Sequence, residues 1–189
     1  MSSLPKPHLT PEEYLEIERK AEYKSEYYQG EMFAMSGARL PHNLIAKSAM
    51  LDLDAQLRQR GCEIVGSDQR VHVPATGLYT YPDLVAFCGE PQFLDAELDT
   101  LLNPVLIIEV LSPSTEMYDR TLKWEQYQSI ESLQEYLLIS TDRIHADLYS
   151  RQASGRWLLT SASRFEDSLE IPSLGCTLKL AALYGRVKF

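Results

Sequence analysis

Two carboxylates stand inside short apolar runs of this sequence. Asp83 belongs to residues 81–87, and Glu109 belongs to residues 103–111. Runs of this composition predict buried strands. An ionised carboxylate in an apolar sheet must be paired, hydrogen-bonded, neutralised or bound to a cation, so two of them indicate a divalent metal site. The alternative is that one or both lie at strand ends and reach solvent or a basic partner.

A helix is predicted to begin close to the N-terminus. Thr10 is a suitable N-cap, Pro11 suits the first helical position, and Glu13 completes a capping box. This helix should end at about Lys20 or Lys24.

A hairpin and a long helix are predicted next. Residues 27–35 form two strand-like segments around Gly30, which can supply the positive φ that a tight turn requires. Residues 44–57 then carry apolar side chains at helical spacing, and Gly61 is placed to end that helix.

Further strands and one more helix complete the pattern. Residues 112–130 predict a helix that begins with the cap residues of a Ser-Pro-Ser-Thr stretch. The tail from Ile171 should fold back on the sheet. Strands interleaved with helices predict an α/β sandwich with a central mixed β-sheet flanked by helices. Other strands are predicted at residues 62–65, 70–73, 135–140, 143–149 and 157–161.

Composition limits the class of protein. The 189 residues contain no linker-like stretch, so one domain should cover residues 1–189. The net charge of −9 argues against indiscriminate nucleic-acid binding, which depends on Lys and Arg. A basic groove that includes Arg58, Arg60 and Arg70 could coexist with this charge, and the alternative places these residues on ordinary solvated surface.

Nothing in the sequence indicates export or membrane insertion. No apolar run approaches the length that spans a bilayer, and residues 1–11 lack the apolar core of a secretory signal. Cys62, Cys88 and Cys176 are odd in number and lack zinc-ligand spacing, so we expect buried or half-buried thiols. A cytoplasmic location is therefore expected.

The order of several motifs resembles a known family. Glu26, His42, the Pro82-Asp83 pair, the stretch EVLSPST that begins at Glu109 and the stretch YDRTLKWEQY at residues 118–127 carry the resemblance. Together they resemble the Uma-two family, bacterial proteins described as restriction endonucleases within the PD-(D/E)XK nuclease superfamily. The resemblance covers nearly the whole chain.

The resemblance implies a restriction-endonuclease-like fold, in which a helix precedes a three-stranded meander and a second helix and a further strand follow. It places Asp83 and Glu109 on neighbouring strands, where they would bind Mg²⁺ or Mn²⁺. A cation held in this way lowers the pKa of a bound water, which can then attack a phosphodiester bond.

One position departs from the superfamily pattern. Leu111 stands two residues after Glu109, where the pattern has a lysine. Leucine cannot orient a water, so we assign this role to Lys123, whose long side chain could reach back from the following helix. Asp119 and Tyr127 flank Lys123 at four-residue spacing. The alternative is that Lys123 is an ordinary solvated lysine.

Two further residues are assigned through the resemblance. Glu26 matches an acid that precedes the Gly-Glu turn, and it would be a third metal ligand. Its alternative is a surface position on a strand. His42, near the start of the long helix, could contact the scissile phosphate or carry a proton near neutral pH. Its alternative is a structural histidine at a helix end.

The resulting hypothesis is a metal-dependent DNA endonuclease whose active site contains Asp83, Glu109, Lys123, Glu26 and His42. A non-catalytic nucleic-acid-binding or scaffold protein that retains a nuclease fold is the alternative. A nucleotide phosphohydrolase ranks behind both, because the sequence has no Gly-rich turn that cradles phosphate. By analogy with enzymes that cleave both strands of a duplex, we expect a homodimer.

Overall fold

The computed structural model describes residues 8–189, and the part of the secretory-signal prediction that concerns residues 1–7 lies outside them. Within these residues, the helical elements are α1 (Pro11–Glu18), α2 (Leu40–Leu57), α3 (Glu116–Tyr118), a π-helical turn (Asp119–Lys123), α4 (Trp124–Tyr127) and α5 (Leu180–Tyr184). The strands are β1 (Ser25–Tyr28), β2 (Glu31–Ala34), β3 (Cys62–Gly66), β4 (Arg70–Val73), β5 (Leu78–Thr80), β6 (Leu84–Cys88), β7 (Thr100–Leu101), β8 (Leu106–Leu111), β9 (Glu135–Ser140), β10 (Ala146–Arg151), β11 (Trp157–Ala162), β12 (Ser168–Ile171) and β13 (Cys176–Lys179).

The larger sheet has six strands in the order β11-β10-β9-β8-β6-β3. Strands β8 and β9 run parallel, whereas the other neighbours run antiparallel. The strands β3, β6 and β8 form the meander that follows α2, and β9 follows the second helical region. The prediction of an α/β sandwich with a mixed sheet and flanking helices is confirmed.

The two faces of this sheet carry different layers, because successive side chains of a strand point to opposite faces. Helix α2 buries Ile45 and Leu53 against one face, together with α5 and the hairpin β12–β13. On β8, Ile107 and Leu111 point to the other face, where the helical region α3–α4 lies. Glu109 lies between these two residues, two positions from each, and therefore also points toward α3–α4.

A second sheet of five strands, in the order β2-β1-β5-β4-β7, lies beside the larger one. The predicted hairpin β1–β2 is confirmed, with positive φ at both Gln29 and Gly30. The sequence patterns did not predict the sheet itself. Strands β4 and β5 interrupt the meander between β3 and β6, and β5 pairs with β1 from a distant part of the chain.

Arg70 is buried rather than part of a basic surface. Its side chain is 2% exposed and lies 2.7 Å from the Asp99 carboxylate. The guanidinium also donates hydrogen bonds of 2.9 Å to the Tyr81 hydroxyl and to Thr100 Oγ1. Arg70 therefore belongs neither to a basic groove nor to ordinary solvated surface, and both of these expectations are wrong for it. The partners named above satisfy its charge inside the protein.

The helix predicted at residues 112–130 is shorter and interrupted. Residues 112–115 form a turn in which the carbonyl of Ser112 accepts hydrogen bonds from the N–H groups of Thr115 and Glu116. The helical region then runs from Glu116 to Tyr127 with a π-helical turn inside it. Such turns change the direction of side chains and are common at functional sites.

The N-terminal helix begins as predicted. The Thr10 side chain accepts a hydrogen bond from the Glu13 N–H, and the Glu13 carboxylate accepts one from the Thr10 N–H. The capping box is therefore formed. The helix ends at Glu18, earlier than predicted, and Glu18 is buried. None of the helices within residues 8–189 combines the length and the apolar character that crossing a bilayer requires.

Two of the three cysteines are joined. Cys62 on β3 and Cys88 on β6 are register partners with Cα atoms 4.0 Å apart, and they form a disulfide. The expectation of three thiols is wrong for this pair, because antiparallel pairing places the two side chains directly opposite each other. Cys176 is a buried thiol, as predicted. The cytoplasmic location stays a prediction.

Candidate active site

Glu109 lies in the middle of β8, and its side chain is buried. Strands β6 and β9 flank β8, and α4 covers the face toward which Glu109 points. Its Oε1 atom accepts hydrogen bonds from the Lys123 ammonium at 3.0 Å and from the Tyr127 hydroxyl at 2.9 Å. The buried acid is therefore paired, as the cost of carboxylate desolvation requires.

Lys123, at the end of the π-helical turn, directs its ammonium into the same space. Its Nζ lies 3.0 Å from Glu26 Oε1, 3.0 Å from Glu109 Oε1 and 3.5 Å from Asp119 Oδ1. Burial lowers the pKa of Lys123, but the nearby carboxylates, Glu109 foremost, outweigh burial and hold the pKa well above its ordinary value. Lys123 is thus a buried cation, and it joins the helical region to both sheets.

The acids around Lys123 outnumber the cation. Burial raises the pKa of Glu109 well above its usual range, the charge of Lys123 opposes this, and Asp119 and Asp83 add to the increase. Burial also raises the pKa of Asp119, again against the charge of Lys123. An excess of carboxylates over ammonium groups creates a negative potential that attracts a cation.

Glu26 reaches this cluster from β1 in the second sheet. Besides Lys123, its carboxylate accepts hydrogen bonds from Thr80 Oγ1 at 2.5 Å and from the Tyr118 hydroxyl at 3.1 Å. Glu26 is buried, so its alternative as a surface acid is excluded. The sequence analysis did not assign Thr80 or Tyr118. No spacing in the sequence pointed to them, because Thr80 reaches Glu26 through the pairing of β5 with β1, and Tyr118 reaches it from the helical region α3–α4.

Asp83 lies directly before β6, at the edge of the cluster. The register pairs Leu84 with Ile108, which places Asp83 beside Glu109 on the neighbouring strand. Asp83 Oδ2 accepts a 2.7 Å hydrogen bond from the Val110 N–H. Its side chain is 20% exposed, so Asp83 connects the buried acids with the surface.

His42, in the first turn of α2, contacts Asp83. Its Nε2 lies 3.1 Å from Asp83 Oδ2, and since a carboxylate only accepts, His42 carries a proton on Nε2 in this contact. Burial lowers the pKa of His42, but the hydrogen bond and charge of Asp83 outweigh it and leave the pKa above its ordinary value. Its other nitrogen, Nδ1, is buried and has no hydrogen-bond partner among residues 8–189.

Leu111 occupies the position where the superfamily pattern has a lysine. It is buried in the apolar layer on the same face as Glu109. The ammonium near Glu109 instead belongs to Lys123, on the following helical region. The structure therefore brings together all five residues that the sequence analysis selected, in two contact groups: Lys123 with Glu26 and Glu109, and His42 with Asp83. Their roles in chemistry stay predictions.

The donor chemistry fits a hard cation held by few protein ligands. No group of three His, Cys, Asp or Glu side chains within the described chain is arranged as a metal site. Mg²⁺ commonly uses only one or two carboxylates and completes its shell with waters and substrate phosphate. Asp83 and Glu109 fit that requirement. Glu26 is already bound by Lys123, Thr80 and Tyr118, so its direct ligation of a metal stays a prediction.

Comparisons with known proteins agree with this architecture. Residues 11–182 match the model of the Uma2 family, described as "Putative restriction endonuclease". A crystal structure of "a putative nuclease belonging to DUF820" from Anabaena variabilis superposes with a TM-score of 0.71, at 19% sequence identity over 94% of this chain and 98% of that chain. The two chains therefore share a fold.

Two proteins of Synechocystis sp. are similar in sequence. The uncharacterized protein slr1290 is 35% identical over 187 residues, which cover 99% of this chain and 97% of that protein. The uncharacterized protein sll1609 is 38% identical over 152 residues, which cover 80% and 86%. The chain belongs to the Uma2 family.

Proposed function

We propose that this protein is a metal-dependent DNA endonuclease that hydrolyses phosphodiester bonds. The observation that carries the proposal is the buried Lys123 ammonium, which lies 3.0 Å from Glu109 next to the strand end that holds Asp83. Buried ionisable groups with strongly shifted pKa values cluster at functional sites. The match to the Uma2 family supports the same conclusion.

Asp83 and Glu109 would hold Mg²⁺ or Mn²⁺ in this proposal. When bound, such a cation supplies a water of lowered pKa and neutralises charge on the reacting phosphate. Asp83 is the partly exposed member of the pair, so the substrate would enter the cluster from the side of Asp83. Glu109 remains fixed by its Tyr127 and Lys123 contacts while the substrate binds.

Lys123 would orient the attacking water or stabilise the charge that develops on a phosphate oxygen. Glu26 is a positioning residue in this proposal, because it holds Nζ at 3.0 Å and is itself fixed by Thr80 and Tyr118. His42 orients the Asp83 carboxylate through its Nε2–H. Imidazole titrates near neutral pH, so His42 would also be able to donate a proton in the reaction.

Cleavage of supercoiled plasmid and single-stranded DNA with Mg²⁺ or Mn²⁺ tests the proposal. We expect nicking by the wild type that stops in chelator and falls at least about a hundredfold in Asp83→Asn and Glu109→Gln. Binding of Mn²⁺ to the same proteins, followed by calorimetry, should weaken in both variants. Equal cleavage by wild type and variants would identify a contaminating nuclease and refute the assignment.

A non-catalytic nucleic-acid-binding protein with a nuclease fold is the second candidate. Two observations favour it: Leu111 replaces the pattern lysine, and Lys123 is engaged by three carboxylates. The same experiment separates the candidates. Such a protein would bind DNA yet cleave none of the substrates, and Glu109→Gln would leave binding unchanged.

We also propose that two copies act together. Each chain holds one cluster, and a two-fold pair of clusters can address both strands of a duplex. Sedimentation velocity of the purified protein tests this, with a dimer expected and a monomer at all concentrations contradicting it.

A further inference from the structure

The outer face of α2 carries polar side chains, and the N-terminal end of this helix lies beside the candidate active site. Arg39 is the N-cap of this helix, and Asn43 and Lys47 follow at four-residue intervals. Residues at this spacing share one face of a helix. All three are exposed.

Among the residues that the structure describes, the cations on this face have no acidic partner. Neither Arg39 nor Lys47 forms an ion pair with any residue of the range 8–189. In contrast, the exposed cations Lys20 and Arg58 each pair with an acid one helical turn away. In a chain of net charge −9, two cations on one helix face without an acidic partner among residues 8–189 mark a local positive potential.

A further cation reaches the same face from the C-terminal part of the chain. Helix α5 packs beside α2, and Arg186 follows it. Arg186 is exposed and also forms no ion pair with the described residues. Lys47 and Arg186 both line the shallow groove between the two helices, with Leu44, Ser48, Leu51 and Ala182.

The face begins at the candidate active site. His42, in the first turn of α2, contacts Asp83 at 3.1 Å. At about 1.5 Å per residue, Arg39 and Lys47 are about 12 Å apart along the helix axis, which matches three to four phosphates of one DNA strand at about 3.4 Å each. The acids of α2 lie further along: Asp54 pairs with Arg58, and Asp52 is partly buried.

We propose that Arg39, Lys47 and Arg186, the α2 cationic face, bind the sugar-phosphate backbone of DNA beside the cleaved bond. This proposal rests on the proposed function, because it takes DNA as the substrate. Contacts with phosphates are independent of the base sequence, and they set the position of the strand relative to Asp83.

The test is binding of short fluorescein-labelled duplex and single-stranded DNA in chelator, followed by anisotropy over a series of salt concentrations. The variants are Lys47→Glu, Arg186→Glu and the double variant Lys47→Glu/Arg186→Glu. The control matched in charge to each single variant is Arg156→Glu, an exposed arginine in the β10–β11 connection at the opposite end of the larger sheet. Circular dichroism and thermal melting verify that all variants fold.

We expect the double variant to bind at least about tenfold more weakly, with a logarithmic salt slope reduced by about two, since two phosphate contacts are lost. The control should bind like the wild type. Equal loss in Arg156→Glu and in each single variant would overturn the proposal, because it would show only an effect of net charge. Absence of binding by the wild type would overturn it as well.

Failure of this proposal can be told apart from failure of the proposed nuclease. Selective loss of binding in a protein that does not cleave supports the α2 cationic face while the nuclease fails. Cleavage by the wild type together with unchanged binding by the double variant would leave the nuclease proposal intact. It would overturn the proposal that the α2 cationic face binds DNA. Unchanged binding with an altered sedimentation coefficient would instead assign the groove to contact between copies and overturn the DNA proposal.

Discussion

Lys123 Nζ and Glu109 Oε1 lie 3.0 Å apart, although 14 positions separate the residues in the chain. One belongs to a π-helical turn and the other to a central strand. The same turn is fixed from its other side, where Arg120 donates a 2.8 Å hydrogen bond to Asp147 on β10. The position of the ammonium therefore depends on how the helical region is seated on the sheet.

Replacement of Lys123 by methionine should destabilise the fold. The variant leaves Glu26, Glu109 and Asp119 without their shared cation. Removal of one partner of a buried ion pair costs about 3–5 kcal/mol, because the other charge stays buried. Urea unfolding at neutral pH measures the difference in the free energy of unfolding.

The double variant Lys123→Met/Glu109→Gln is the control. It removes one charge of each sign and should recover part of the lost stability without recovering cleavage. A Lys123→Met protein as stable as the wild type would show that the contact of Lys123 with Glu109 does not form in solution.

Tyr127→Phe tests the second hydrogen bond to Glu109. The variant keeps the buried ring and removes only the hydroxyl that donates to Oε1 at 2.9 Å. A hydrogen bond to a charged group contributes about 1.5–3 kcal/mol, so we expect a loss of that size in urea unfolding. Tyr149→Phe is the matched control, because this tyrosine lies in the same aromatic group and should change stability by less than about 0.5 kcal/mol. Equal losses in both variants would contradict the assignment.

Asp83 and Glu109 could be selected from the sequence because their signals are local, whereas Lys123, Glu26 and His42 were assigned through the family resemblance. Glu109 stands in an apolar run that is too hydrophobic for an exposed strand, and burial of the whole of β8 bears out that pattern. Thr10, Pro11 and Glu13 carry the capping signal in four consecutive residues, and the helix begins there. Signals of this kind need no tertiary contact to be recognised.

Features that depend on distant pairing were not predictable. Thr80 contacts Glu26 because β5 pairs with β1 across more than fifty residues, and no local pattern encodes that choice. Cys62 and Cys88 meet because the register of β3 on β6 places them opposite each other, which spacing alone does not determine. The backbone hydrogen bonds of a π-helical turn span five residues instead of the four of an α-helix, and hydrophobic periodicity does not resolve this difference.

Because the structure contains a disulfide, we expect the free energy of unfolding to decrease when a reductant is present. Cys62 and Cys88 are 26 positions apart, and closing a loop of that length lowers the entropy of the unfolded chain enough to stabilise the fold by up to about 3.5 kcal/mol. Urea unfolding with and without reductant should show this difference in the wild type. Cys62→Ala/Cys88→Ala should unfold identically under both conditions. A wild type that is indifferent to reductant would mean that the bond is absent.

The partly buried position of His72 predicts that the protein loses stability in mild acid. It stacks on Tyr79 with ring centroids 4.1 Å apart, and its Nδ1 lies 3.2 Å from the carbonyl oxygen of Leu78. Burial, followed by the charge of Arg70, lowers the pKa of His72 to about 4. The ordinary pKa of histidine is about 6.5, so the unfolded chain binds this proton more tightly than the folded one.

The contribution of neutral His72 is therefore fully present above pH 6.5 and declines as the pH falls toward the folded pKa of about 4. A separation of this size between the folded and unfolded pKa values corresponds to a loss of up to about 3 kcal/mol. His72→Gln keeps a polar group but cannot titrate, so its stability relative to the wild type should rise on going from pH 7 to mild acid. Urea unfolding of both proteins over that range measures the difference, and parallel pH profiles would show that His72 protonates as readily in the folded protein as in the unfolded chain.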